Sequence, residues 1–253
     1  MRYKLQVTSH MLSQRQQQIL IATIEEYVRS AEPVGSKELM ERHKLPMSSA
    51  TIRNVMSELE REGYLYQPHI SAGRMPTDKG YRFFVNYVTE KRLQRMDFEE
   101  QKQLEGELLK LRLREKMLAR TLAKLLAAFS NNLAITGLVN EKEYFESGIK
   151  QLLTQPDFQN IDEVCQIAEV LDYLDENITE LAKDLRPKKV KTFIGKENLF
   201  TESGDCAIVI SQCTLPDGEK GIVAILGPKR MEYKKNISII EQVTDFLEKK
   251  HRK

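Results

Sequence analysis

The sequence predicts an α+β chain in three parts, and three observations carry that prediction. Four short helical patterns and a pair of extended pieces fill residues 1–92. A seven-residue leucine repeat then runs from Asp97 to Phe129, and beyond residue 133 short apolar runs alternate with amphipathic stretches joined by turn signals. The parts expected are therefore 1–92, 93–132 and 133–253, the last built around a small antiparallel sheet.

Residues 1 to 10 have no clear period and read as a loose arm. The first helix is expected from about Ser13 to Ser30. Ser13 is placed to cap it, with Gln16 in the capping-box position, and Ile19, Leu20, Ala22, Thr23, Ile24, Tyr27 and Val28 form its apolar face. Glu32-Pro33-Val34-Gly35 breaks the pattern, and a second short helix starts at a Ser36 cap and ends before Lys44-Leu45-Pro46. The third helix is capped by Ser48 and stopped by Gly63. Its Ile52, Val55, Met56 and Leu59 fall at the spacing of a buried stripe, which leaves Ser49, Ala50, Thr51, Arg53, Asn54 and Ser57 facing outward. A helix whose first turns carry small polar groups and one arginine can lie close to a groove floor. Tyr64–Gln67 and Pro68–Pro76 read as two extended pieces around a Ser71-Ala72-Gly73 turn, a wing beside that helix. Thr77 then caps a closing helix with Tyr81, Phe84, Val85 and Val88 inside. Helices, turn and wing together make a winged helix-turn-helix.

The second part reads as one long helix. Leu104, Leu111, Leu118 and Leu125 recur every seven residues, flanked by Leu108, Leu122 and Phe129, so the seam suits either packing within the chain or a dimer contact. In the third part, Leu133–Val139 reads as a strand. Asn160 and Glu163 form a capping box for a helix with Val164, Ile167, Ala168, Leu171 and Leu174 on one face. Val190–Ile194, Cys206–Ser211 and Gly221–Leu226 are further strands, the last two joined through Pro216-Asp217-Gly218. A final helix places Ile237, Ile240, Val243 and Leu247 on one face.

Composition narrows the function classes. The chain holds 39 basic and 37 acidic residues, so any footprint for nucleic acid has to be local. Residues 1–92 carry 14 basic against 10 acidic, and the remainder 25 against 27. No apolar run approaches the roughly 20 residues of a spanning helix and no secretory pattern opens the sequence, so a cytoplasmic protein without a membrane partner is expected. Cys165, Cys206 and Cys213 lack a C-x-x-C arrangement and read as reduced, mainly core thiols. Phosphate-loop, nucleophile-elbow and zinc-protease motifs are missing, and His10, His43, His69 and His251 are scattered. Neither enzyme, metal nor cofactor is expected. Acidic pairs such as Glu25-Glu26 read as solvated charges.

Several long stretches resemble the bacterial heat-inducible transcription repressor HrcA family. They are Leu12–Leu20, Glu32–Ser36, Ser48–Asn54 and Gln67–Arg82, with Leu152–Phe158, Ile194–Asn198 and Gly227–Tyr233 later in the chain. The resemblance implies a DNA-binding repressor of chaperone genes, dimeric on an inverted-repeat operator in double-stranded DNA and kept active by a chaperonin. It also implies a GAF-like C-terminal domain with a dimerisation domain inserted before Leu152. Only Asn140–Lys150 occupy that gap here, so the leucine seam is the expected substitute.

From spacing alone the outer face of the third helix suits either DNA or a protein partner, and the resemblance selects DNA. Arg53 is the candidate for guanine readout and Asn54 for adenine or phosphate, with Ser49 and Thr51 near phosphates at the helix start. Ser36, Ser48 and Ser57 complete the helical set. His69, Ser71 and Arg74 are the wing candidates, Arg74 for the backbone or minor groove. Tyr81 and Phe84 are expected in the core. A ligand-responsive regulator of other genes is the alternative to the heat-shock repressor.

Overall fold

The computed structural model describes residues 12–93, 96–111, 115–158, 160–187, 189–197 and 204–251. The expectation for residues 1 to 10 lies outside this set. The chain divides into two compact units, Met1–Phe84 and Val85–Lys253.

The first unit begins with α1 (Gln14–Ser30). Ser13 caps it in a full capping box with Gln16, and Ala31 ends it in the left-handed conformation. Next come α2 (Ser36–Arg42), α3 (Ser49–Arg61), the strands β1 (Leu65–Tyr66) and β2 (Met75–Pro76), and α4 (Asp78–Lys91). The start of α2 differs from the expectation. Gly35 is the capping residue and makes no side-chain hydrogen bond, whereas Ser36 sits inside the helix and is buried. The cause lies one residue earlier, where Val34 pairs with Arg74 in an antiparallel bridge and fixes the entry of the chain.

Ile52, Val55, Met56 and Leu59 of α3 are buried, as their spacing predicted, and at about 1.5 to 3 kcal/mol per side chain they fix the helix's rotation. Thr77 Oγ1 accepts from the Gly80 amide at the start of α4, and Tyr81 and Phe84 are core residues. Glu26 corrects the sequence reading. It is only 3% exposed and pairs with Arg29, with Arg42 at 3.1 Å and with His43 at 3.6 Å. A carboxylate taken from water needs such partners, and here they tie α1 to α2.

The second unit corrects the long helix. α5 (Phe98–Lys110) ends where Leu111 turns extended (φ −63°, ψ 129°), and α6 (Glu115–Ser130) is a separate helix. Leu104, Leu108, Leu118 and Leu122 are buried within their own chain, α5 against the last helix and α6 against the sheet. These four leucines of the seam thus belong to the core, while Leu111, Leu125 and Phe129 are half-buried.

After α6 come β3 (Leu133–Leu138), β4 (Glu143–Ser147), the short α7 (Ile149–Leu153), α8 (Ile161–Asp184), β5 (Lys191–Ile194), β6 (Cys206–Thr214), β7 (Lys220–Pro228) and α9 (Tyr233–His251). Among the described residues the strands form one antiparallel sheet in the order β4-β3-β7-β6-β5. Because side chains alternate across a strand, the sheet has two buried faces. Leu133, Ile135, Ile208, Ile210, Ile222 and Leu226 join Ile167 and Val170 of α8 on one face. On the other, Thr136 Oγ1 donates to the Ala119 carbonyl of α6 at 2.7 Å, and α9 lies against β6 and β7. Ile237, Ile240, Val243 and Leu247 of α9 are all buried. On α8 the expected Ile167 is buried together with Val170, whereas Ala168 is exposed, and the side chains of Val164, Leu174 and Glu163 lie outside the described set.

The expected turn joins β6 to β7, with Gly218 at φ +91° and Thr214 opposite Lys220. Strand β4 was not expected. It pairs with β3 from Ala134↔Ser147 to Leu138↔Glu143, so the residues just after β3 form a hairpin. Two of the resembling stretches meet, since Arg230 Nε and Nη2 donate to the Asp157 carboxylate, at 2.8 and 2.6 Å to Oδ2. No described helix is long and apolar enough to cross a membrane.

Candidate nucleic-acid interface

The outer face of α3 is built from its cap inward. Ser48 Oγ accepts from the Thr51 amide and lies 2.9 Å from Thr51 Oγ1, so the two hydroxyls share the N-terminal end of the helix. That end carries partial positive charge, which suits a phosphate. Arg53 and Asn54 follow one turn later, both exposed, with Ser49 and Thr51 half-buried beside them. Beyond them the helix turns acidic, at Glu58, Glu60 and Glu62, a distribution that would repel a polyanion if left open.

The acidic half is occupied by the protein itself. Gln16 Nε2 donates to Glu62 Oε1 at 3.0 Å while Gln16 Oε1 accepts from the Ser13 amide, so one side chain closes α1 and steadies α3. Arg74 Nε donates to Glu60 Oε2 at 3.0 Å, and its Nη2 donates to Ser57 Oγ at 2.9 Å. Ser57 Oγ in turn donates to the Arg53 carbonyl at 3.1 Å. Arg74 is only 13% exposed. Its guanidinium points into α3, not outward from the wing as the sequence suggested, because the bridge with Val34 sets its backbone and Glu60 supplies the charge. Gln16 and Glu60 are members of this arrangement that sequence reasoning passed over. Only the capping-box spacing of Gln16 signalled it.

The wing is short and tied down. β1 and β2 pair as Leu65↔Pro76 and Tyr66↔Met75, and Gln67 Nε2 donates to the carbonyls of Ile70 and Ala72 across the turn. Gly73 is required there, since a Cβ would stand 2.4 Å from the Val34 carbonyl. At the tip, His69 and Ser71 are exposed and Ile70 is 100% exposed. Lys79 Nζ donates to the Glu62 carbonyl and lies 4.1 Å from the Tyr64 ring centre, which anchors the base of the wing. Of the ten sequence candidates, then, Arg53 and Asn54 are exposed on the outer side of α3, Ser48 caps its start with Ser49 and Thr51 half-buried on its first turn, and His69 and Ser71 crown the wing. Ser57 and Arg74 are joined to each other, and Ser36 is buried.

A short helix, a turn, a second helix with an open polar face and a braced wing define the first unit as a winged helix-turn-helix module. Residues 11–90 match the family model "Winged helix-turn-helix transcription repressor, HrcA DNA-binding", and residues 77–237 match "HrcA protein C terminal domain". The chain belongs to the HrcA family. A similar protein named heat-inducible transcription repressor HrcA from Brevibacillus brevis is 28% identical, over 94% of this chain and 97% of its own length. Its namesake from Thermodesulfovibrio yellowstonii is 30% identical over 91% and 95%. The Brevibacillus alignment runs over 336 positions, more than the 253 residues here, so that relative carries sequence this chain does not. A crystal structure of a hypothetical protein shares the fold, with a TM-score of 0.76 at 20% identity over 95% of this chain and 99% of that one.

Proposed function

We propose that this chain is a sequence-specific repressor of heat-shock genes, binding an inverted-repeat operator in double-stranded DNA as a dimer. HrcA relatives are heat-inducible transcription repressors with a DNA-binding winged helix. The observation that carries the reading to residues is the division of α3. Its N-terminal half offers Ser48, Ser49, Thr51, Arg53 and Asn54, and its acidic half is occupied by Gln16 and Arg74. Arg53 reads guanine, Asn54 reads adenine or grips phosphate, and the cap hydroxyls sit on the backbone. His69 and Ser71 reach DNA from the wing. Arg74 and Ser57 act as positioning residues that set the wing against the reading helix.

Two copies follow from arithmetic. A few base contacts at about 1 to 3 kcal/mol each discriminate too weakly for one half-site, and a two-fold dimer doubles them. The second unit, an antiparallel sheet with helices on both faces, is read as a GAF-like regulatory domain through which a chaperonin keeps the repressor active. DNase footprinting on a chaperone-promoter fragment tests the proposal. Protection should cover two half-sites of an inverted repeat, and protection of one half-site or uniform coating would count against it.

A further inference from the structure

Turning α5 into a helix with its own buried side exposes a second stripe. Leu104 and Leu108 face the core, and Glu100 accepts from Lys235 of α9 at 2.7 Å. About a third of a turn away, Phe98, Lys102, Glu105 and Leu109 align within a narrow arc, at i, i+4, i+7 and i+11. All four are exposed, Phe98 at 68% and Leu109 at 63%. Large apolar side chains left in water at both ends of one stripe need a reason.

The order of the stripe supplies one. A two-fold axis crossing α5 between Gln103 and Leu104 sets Phe98 against Leu109 of the second copy and Lys102 against Glu105 of the second copy. The same contacts then recur in the other direction. Apolar ends meet apolar ends and opposite charges meet at the centre, which is the self-complementarity an isologous contact requires. Gly106 stands at the edge of this stripe. A Cβ there would meet nothing within 4 Å in its own chain, although glycine inside a helix costs about 1 kcal/mol relative to alanine. Close approach of a second helix explains it.

We propose that this stripe of α5 is a docking surface for a second copy of the same chain, the helices antiparallel. The inference rests on the dimeric reading above and supplies its surface. Three turns of helix make a small interface, so the free dimer dissociates on dilution through about the micromolar range.

Sedimentation equilibrium of the full chain across concentrations tests it, using Lys102→Glu, Glu105→Lys and, as a second route, Phe98→Ser. Each charge variant alone confronts like charges and should raise the dimer dissociation constant about tenfold or more. An equimolar mixture of the two restores both pairs across the axis and should recover the dimer, a result that also shows both variants folded. Phe98→Ser should weaken the dimer without altering the helical circular dichroism. Wild-type dimers that none of these substitutions weaken would overturn the α5 surface and leave the dimeric reading standing. Variants that weaken the dimer but fail to re-form it on mixing would overturn the antiparallel pairing. A wild-type monomer at every concentration would overturn the surface and the dimeric reading together.

Discussion

Arg74 of the wing donates to Ser57 of the reading helix at 2.9 Å, and Ser57 passes the contact to the Arg53 carbonyl. The wing and the helix are thereby set against each other through one guanidinium, which also neutralises Glu60.

Replacing Arg74 by alanine removes two charge-assisted hydrogen bonds at a mostly buried site and should cost about 1 to 3 kcal/mol of stability in the first unit. DNA affinity should fall with it. A double-mutant cycle of Arg74→Ala with Glu60→Ala, read by thermal denaturation, should give a coupling of about 0.5 to 2 kcal/mol. Additive losses would mean that the brace carries no energy.

The Glu26 cluster makes a separate forecast. Glu26→Ala strands Arg29, Arg42 and His43 around an empty place, but both arginines are about half exposed and can rehydrate. The cost should be about 1 to 3 kcal/mol, below that of breaking a fully buried pair. Chemical denaturation of the variant checks this, and a change below a few tenths of a kcal/mol would return Glu26 to the solvated class in which its sequence placed it.

Glu219, at the β6–β7 turn, has one carboxylate oxygen buried without a hydrogen-bond partner among the described residues. Burial, then the charges of Glu141 and Asp217, push its carboxyl above the usual range, although backbone amides at Asn140 and Glu141 pull the other way. A carboxyl with a raised folded-state pKa favours the folded state most while protonated and less once pH has risen through that value. Glu219→Gln should therefore raise the melting temperature at neutral pH, and the gain should shrink as pH falls into the carboxylate range. A gain that grows on acidification would contradict the assignment.

Thiol labelling separates the cysteines. Cys165 is exposed, whereas Cys206 and Cys213 are buried, and burial pushes the Cys213 thiol up to about 12. At pH 8 a maleimide should modify one thiol quickly and the other two only on unfolding, as intact mass would report. Rapid modification of Cys213 in the native protein would show that β6 opens.

The parts of this fold that were legible in sequence are those fixed by neighbours in the chain. The Ser13–Gln16 box, the Ser48 cap, the α3 stripe and the Pro216-Asp217-Gly218 turn each depend on contacts within a few residues. What sequence hid depends on distant partners. Nothing near Glu26 announces Arg42, and an arginine beside a glycine turn looks the same whether it reaches outward or, as Arg74 does, into Glu60. The leucine spacing from Leu104 to Leu125 is equally consistent with one helix or two, because a break at Leu111 leaves every leucine in place. Strand β4 escaped because Glu143–Ser147 lies at the sheet edge, where the half-exposed pattern lacks a clean alternation. For the candidate site, which residues face outward on α3 was readable, and which of them the wing already occupies was not.

The central claim, that the N-terminal half of α3 reads base sequence, is tested most directly by fluorescence anisotropy on paired duplexes. One carries the chaperone-promoter inverted repeat and the other the same bases scrambled, with wild type and Arg53→Ala titrated at several salt concentrations. Wild type should prefer the inverted repeat and weaken steeply with salt, while Arg53→Ala should lose about 1 to 3 kcal/mol on that duplex and little on the scrambled one. Equal binding of both duplexes by wild type, or an Arg53→Ala protein with unchanged affinity and preference, would contradict it.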